Sequence, residues 1–169
     1  MSTIGDAVAN ASTYLTEHPD EARYRDGRAV ARLAKGLAIE VSGPGKERLR
    51  TDMPRGIGGA AAAPSPGWYL RAAAASCVAA LIGIRAAALG IELPADSVEV
   101  TVDSESDDRG ILGLDEAIPA GALSMKVVVS IQAAGVDHAA IDALARWAVD
   151  HCPVTDSVRR AVPMEVEVD

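Results

Sequence analysis

The stretch from Ser65 to Leu89 constrains this chain more than any other. It reads Ser-Pro-Gly-Trp-Tyr-Leu-Arg-Ala-Ala-Ala-Ala-Ser-Cys-Val-Ala-Ala-Leu-Ile-Gly-Ile-Arg-Ala-Ala-Ala-Leu and is followed by Gly90. Alanine is the strongest helix former, so the run predicts a long helix over residues 65–89. Ser65 can cap its start, Pro66 suits the first helical position and Gly90 suits the stop. Apolar side chains occupy almost every side, so most of the helix surface has to be buried and the remaining elements have to be built around it. Arg71 and Arg85 bracket the apolar run and read as charges reaching out from the two ends. The stretch between them is shorter than the roughly 20 residues that span a bilayer.

The flanking sequence supplies short strands and two more helices. Residues 3–18 predict a helix, with Ile4, Val8, Ala11, Tyr14 and Leu15 on one face and His18-Pro19-Asp20 as its stop. Residues 21–43 predict a hairpin with strands over 29–34 and 37–42, turning at Lys35-Gly36. Residues 44–64, rich in Gly and Pro, predict mainly loop with one short strand near 47–51. Strict alternation over Ser97–Asp103 and the apolar run within Leu123–Ala133 predict two further strands. The acidic, Gly-containing stretch Asp103–Glu116 between them reads as a loop or lid. Asp137 is placed to cap a helix over 138–151, with Ile141, Leu144, Ala145 and Ala148 on one face. Alternation over Val162–Val168 predicts a closing strand. The order α-β-β-α-β-β-α-β, with hairpins and without a helix after every strand, predicts an α+β fold. Residues 1–20 read as an N-terminal helical extension and 21–169 as the main domain.

The chain has 169 residues, enough for one domain with a substantial core. With no Phe, two Trp and three Tyr, that core must be aliphatic. The net charge of −8 argues against binding to a phosphate backbone, which needs clustered Lys and Arg. The first residues carry neither a basic segment nor an apolar one, which predicts a cytoplasmic protein without a signal peptide or membrane span.

Two cysteines carry the chemistry open to this chain. Cys77 lies within the Ala-rich helix, where a cysteine is often a small hydrophobe. To act as a nucleophile it needs a nearby cation, since it lies three turns in from the helix start. Cys152 follows the 138–151 helix, where the dipole opposes a thiolate, with Arg159 and Arg160 close in sequence. Pro153 reads as a helix stop. In the cytoplasm a structural disulfide is rare, so the two thiols are either a redox pair or inert. Three histidines without a Cys-x-x-Cys motif give no metal site, and no bound cofactor is expected. The carboxylates Asp103, Glu105, Asp107 and Asp108 read as a solvated loop, because their spacing does not fit a calcium loop. Trp68 and Tyr69 read as packing residues or as the lining of an apolar pocket.

Three segments, in order, resemble the OsmC/Ohr family. They are Arg25-Asp26-Gly27-Arg28-Ala29-Val30 with the hairpin ending at Gly43-Pro44, then Gly58-Gly59 and Ser65-Pro66-Gly67 leading to Ala74-Ala75-Ser76-Cys77, then Cys152-Pro153-Val154-Thr155-Asp156-Ser157. The resemblance covers roughly residues 22–169. It implies an OsmC-like fold, with antiparallel sheets packed on long central helices in an intertwined homodimer. It also implies a thiol peroxidase, with Cys77 attacking a small organic hydroperoxide, Cys152 resolving the sulfenic acid, Arg25 supporting the thiolate and an external dithiol as reductant. One position departs from the family pattern. Gly67 stands where peroxidase members carry a Glu that orients the arginine, and no acidic residue lies between Met53 and Ile91. That departure leaves open a non-peroxidase member that binds a small apolar ligand or senses oxidants.

Overall fold

A computed structural model describes residues 3–168. The elements run α1 (Ile4–Glu17), β1 (Val30–Leu33), β2 (Ile39–Ser42), β3 (Arg48–Thr51), α2 (Pro66–Ala88), β4 (Val98–Glu105), α3 (Asp108–Ile111), β5 (Ser124–Ile131), α4 (His138–His151) and α5 (Pro153–Arg159). Short 3-10 turns lie at Pro19–Ala22 and Arg55–Ile57. The α+β class, the hairpin, the long helix and the Asp137-capped helix stand where the sequence places them. The chain divides into two compact units, one of residues 11–70 and the other of residues from Arg71 onward with the start of α1.

In the first unit, β1, β2 and β3 form an antiparallel meander in that order. Leu33 pairs with Ile39 and Val41 with Leu49, which puts apolar side chains on one face of the sheet. Beyond β3 the chain is organised around Asp52, which is 2% exposed. Its carboxylate accepts the backbone N–H groups of Met53 at 2.8 Å, Ala60 at 3.2 Å and Ala62 at 3.0 Å. The loop closes so tightly that a Cβ on Gly59 would lie 1.8 Å from the Met53 carbonyl oxygen, so only glycine fits there. Gly58, at φ +91°, makes the turn that leads into it.

The N–H of Ala62 first, then those of Met53 and Ala60 and the charge of Arg50, outweigh the cost of burial and hold the Asp52 carboxyl below its ordinary value. A depressed carboxyl pKa contributes stability above the unfolded value of about 3.9 and loses it as pH falls through the folded value. Asp52→Asn should therefore lower stability in urea denaturation at neutral pH. The gap between variant and native protein should narrow once pH falls below about 4. A gap that stays constant with pH would contradict the assignment.

The second unit holds the core. α2 begins with the Ser65 hydroxyl accepting the Trp68 N–H at 3.3 Å. It ends at Gly90, φ +69°, with the Ile91 N–H returning to the Ala86 carbonyl at 2.9 Å. Ala74, Val78, Ile82 and Ala86 form a stripe of four-residue spacing and are buried. Val78, Ile82 and Ala86 pack with Leu144, Ala148 and Cys152 into one cluster, walled by Val98 and Val100 of β4 and Val129 and Ile131 of β5. The antiparallel register pairs Val98 with Ile131, Val100 with Val129 and Val102 with Val127, so the inward side chains of both strands fall on one face.

Four expectations change. Residues 161–168 form no strand, and a fifth helix, α5, precedes them. The acidic stretch is not a single loop: Asp103 and Glu105 finish β4, and Asp107 caps α3. There Arg109 grips the Asp107 carboxylate and holds its pKa down to about 2. Arg71 and Arg85 do not simply point outward. Arg71 donates to the Ser104 hydroxyl at 3.1 Å, and the Arg85 guanidinium sits 4.9 Å over the Trp147 ring. Finally, α2 has 23 residues and contains an 18-residue window with a mean hydropathy of 1.5, long and apolar enough to cross a membrane by length and composition. The expectation that most of its surface is buried is not met in the single chain: only the stripe Ala74, Val78, Ile82 and Ala86 is buried.

Candidate functional site

Cys77 lies on α2 one position before Val78, on the edge of the buried stripe, and is half-buried. Cys152 is fully buried within the core cluster, and Cys77 packs against it. Both are free thiols. Each thiol shifts the acidity of the other, so the two side chains lie near one another.

Cys152 does not sit only at a helix end. It is the corner residue between two helices, closing α4 and capping α5, which Pro153 starts rather than merely terminating α4. Its sulfur accepts the Thr155 N–H at 3.5 Å. Thr155, itself buried, donates its hydroxyl to the Val149 carbonyl at 2.6 Å, with the Cys152 carbonyl farther off at 3.1 Å. The hydroxyl has one proton, and the shorter contact takes it. Reading Pro153 as a stop alone hid this corner. The signal available in the sequence was Thr155 three residues after Cys152, the spacing of a capping interaction.

The pair splits its acidities. Burial pushes the Cys77 thiol up, and the Cys152 side chain raises it further; the Val154 N–H opposes this weakly. Burial also raises Cys152, but the Thr155 N–H first, with the Cys77 thiol and the Val154 N–H, brings it below the ordinary thiol value. Arg159 and Arg160 are engaged elsewhere, Arg159 with Asp150 at 2.8 Å and Arg160 with Asp156.

Arg25 belongs to the other unit, exposed in the extended segment before β1. The Asp52 carboxylate is taken up by three backbone N–H groups. Trp68 is half-exposed, and Tyr69 donates its hydroxyl to the Arg50 carbonyl at 3.2 Å. Among the described residues, no group of three or more His, Cys, Asp or Glu side chains is arranged to hold a metal ion. A cleft of about 460 Å³ opens between β5 and α4, floored by Met125, Val127, Val129, Ala145 and Val149. The ion pairs Arg146–Asp142, at 2.7 Å, and Arg159–Asp150 lie along it, and neither cysteine lines it.

The OsmC-like protein family model matches residues 58–167, from the Asp52-bound loop through both cysteines. This chain belongs to the OsmC-like family. No curated protein sequence matches it. Solved structures of similar fold include an OsmC-like protein from Mycoplasma pneumoniae, with 14% identity, TM-score 0.68, and coverage of 82% of this chain and 91% of that one. An organic hydroperoxide resistance protein OsmC from Legionella pneumophila is 22% identical, with TM-score 0.59 and coverage of 81% and 91%. An organic hydroperoxide resistance protein from Elizabethkingia anophelis, solved with thiocyanate bound, is 17% identical, with TM-score 0.60 and coverage of 82% and 91%. At these identities the OsmC-like likeness is one of fold.

Proposed function

We propose that this OsmC-like protein is a thiol-dependent peroxidase that reduces small organic hydroperoxides. The observation that carries the reading is a half-buried Cys77 packed against the core cluster that holds the fully buried Cys152 thiol. Cys77 is the accessible member and takes the peroxide. Cys152, shielded from solvent, attacks only what forms on Cys77. Passing the Cys77 proton to the Cys152 thiolate leaves a thiolate on the accessible side, and Cys152 gives that proton on to the departing alkoxide, which restores its own thiolate for the second step. The Cys77 thiolate then attacks the peroxide oxygen, the O–O bond breaks and the alcohol leaves with a proton, giving Cys77 sulfenic acid. Cys152 attacks the sulfenic sulfur, the S–O bond breaks and water leaves. An external dithiol reduces the disulfide, and no bound cofactor takes part. We assign Arg25 the role of supporting cation for the Cys77 thiolate and for charge on the leaving oxygen.

We infer that the protein works as a homodimer in the cytoplasm. Ile84 of α2, Leu89 just beyond it, Leu33 of β1 and Val162, Met164, Val166 and Val168 are exposed in the single chain, apolar side chains that a second copy would cover. Free thiols suit a reducing compartment.

A second reading, an OsmC-like protein that binds a small apolar ligand or senses oxidants, draws support from Gly67 and from the raised Cys77 thiol. The apolar floor of the β5–α4 cleft would suit such a ligand.

The test is to mix the reduced protein with cumene hydroperoxide and follow free thiols and mass. Loss of both thiols with a Cys77–Cys152 disulfide is the expected result. Thiols that persist under excess hydroperoxide would sink the peroxidase reading.

A further inference from the structure

We propose that Thr155 is a positioning residue of the thiol pair: its hydroxyl, tied across the α4–α5 corner, holds its own backbone N–H on the Cys152 sulfur. The inference rests on the reading of Cys77 and Cys152 as a working pair. Val149 lies in the last turn of α4, where carbonyls lack partners within their own helix. The Thr155 hydroxyl supplies one at 2.6 Å, the shorter of its two contacts. Thr155 is 7% exposed, so water does not compete for that bond. The result is a closed loop. The hydroxyl anchors residue 155 to α4, residue 155 directs its N–H to the sulfur at 3.5 Å, and the sulfur stays near Cys77.

The consequence falls on the second chemical step. Cys152 must present a thiolate to the Cys77 sulfenic sulfur, so that the S–S bond forms while the S–O bond breaks and water departs. An N–H held on the sulfur stabilises the thiolate and limits where it can point. Without the hydroxyl, the corner relaxes, the N–H leaves the sulfur, and more alkaline solution is needed for the same thiolate fraction. A purely structural role for Thr155 would lower stability without moving that pH dependence.

The test uses the full chain as native protein, Thr155→Val, which keeps the shape and loses the hydroxyl, and Thr155→Ser, which keeps the hydroxyl. Each is oxidised with diamide, whose azo group takes two electrons and two protons as the dithiol becomes a disulfide, and separately with cumene hydroperoxide. Reactions are quenched with N-ethylmaleimide and read by mass, across a pH range that brackets the ordinary thiol value of about 8.5. Thr155→Val should form the disulfide about tenfold more slowly at neutral pH, the weight of one hydrogen bond to a charged group, with its pH midpoint displaced upward. Thr155→Ser should follow the native profile. Superimposable native and Thr155→Val profiles would overturn the proposal, as would a Thr155→Ser profile displaced like that of Thr155→Val. A Thr155 dependence with diamide but no reaction with hydroperoxide would uphold the inference and overturn the peroxidase reading. In the native protein, whether or not the variants fold, the Thr155 amide proton should titrate together with Cys152 in NMR spectra; an amide that does not respond would also overturn it.

Discussion

Cys77→Ser should abolish hydroperoxide turnover, while Cys152→Ser should consume one equivalent of hydroperoxide and stop at the sulfenic acid. A serine hydroxyl in this setting has no base to ionise it, since the neighbouring group is another thiol. The loss in rate should therefore be on the order of a thousandfold or more. The substitution removes reactivity with little change in volume at a half-buried position, so the fold should be retained. Cys152→Ser tests the division of labour. Its side chain is completely buried, so it cannot meet a hydroperoxide before Cys77 does. Dimedone should label residue 77 in Cys152→Ser and nothing in Cys77→Ser. Labelling of residue 152 in Cys77→Ser would reverse the roles proposed for the two thiols.

The second large effect is on stability. Ile82 is completely buried at the centre of the cluster formed by α2 and α4. Ile82→Ala should cost about 2–5 kcal/mol, the sum of lost transfer energy and the cavity left behind. In a domain of this size each kcal/mol lowers the melting temperature by roughly 2–4 °C. Ile84 lies two positions along the same helix and is 38% exposed in the single chain, so Ile84→Ala provides the contrast. In an isolated chain it should cost about 1 kcal/mol or less. If Ile84→Ala destabilises as strongly as Ile82→Ala, and the loss depends on protein concentration, a second copy covers that face.

The helical elements were legible because their signals are local. Ser65, Pro66 and Gly90 mark the limits of α2, and Asp137 marks the start of α4 through a bond from the Ala140 N–H at 2.7 Å. Strand β4 was legible because its alternation matches the pleat of a pair that buries one face, and β5 because of its apolar run Val127-Val128-Val129. The same alternation in residues 162–168 misled, since a strand exists only when another backbone pairs with it, and within the described chain none does so there. The α5 helix went unread because Pro153 serves equally well as the end of one helix and the start of the next. Deciding between them takes the corner geometry.

The residue types and their order determined the α+β class, the core helix, the aliphatic core and the two thiols as the only nucleophilic pair open to this chain, because composition, periodicity and capping act over a few residues. The proximity of those thiols was decided by tertiary structure alone. Cys77 and Cys152 are brought together by the packing of α2 against the α4–α5 corner, and their unequal acidities follow from which sulfur receives the surrounding N–H groups. Sequence spacing carries no record of either, because both depend on atoms that become neighbours only when the core closes.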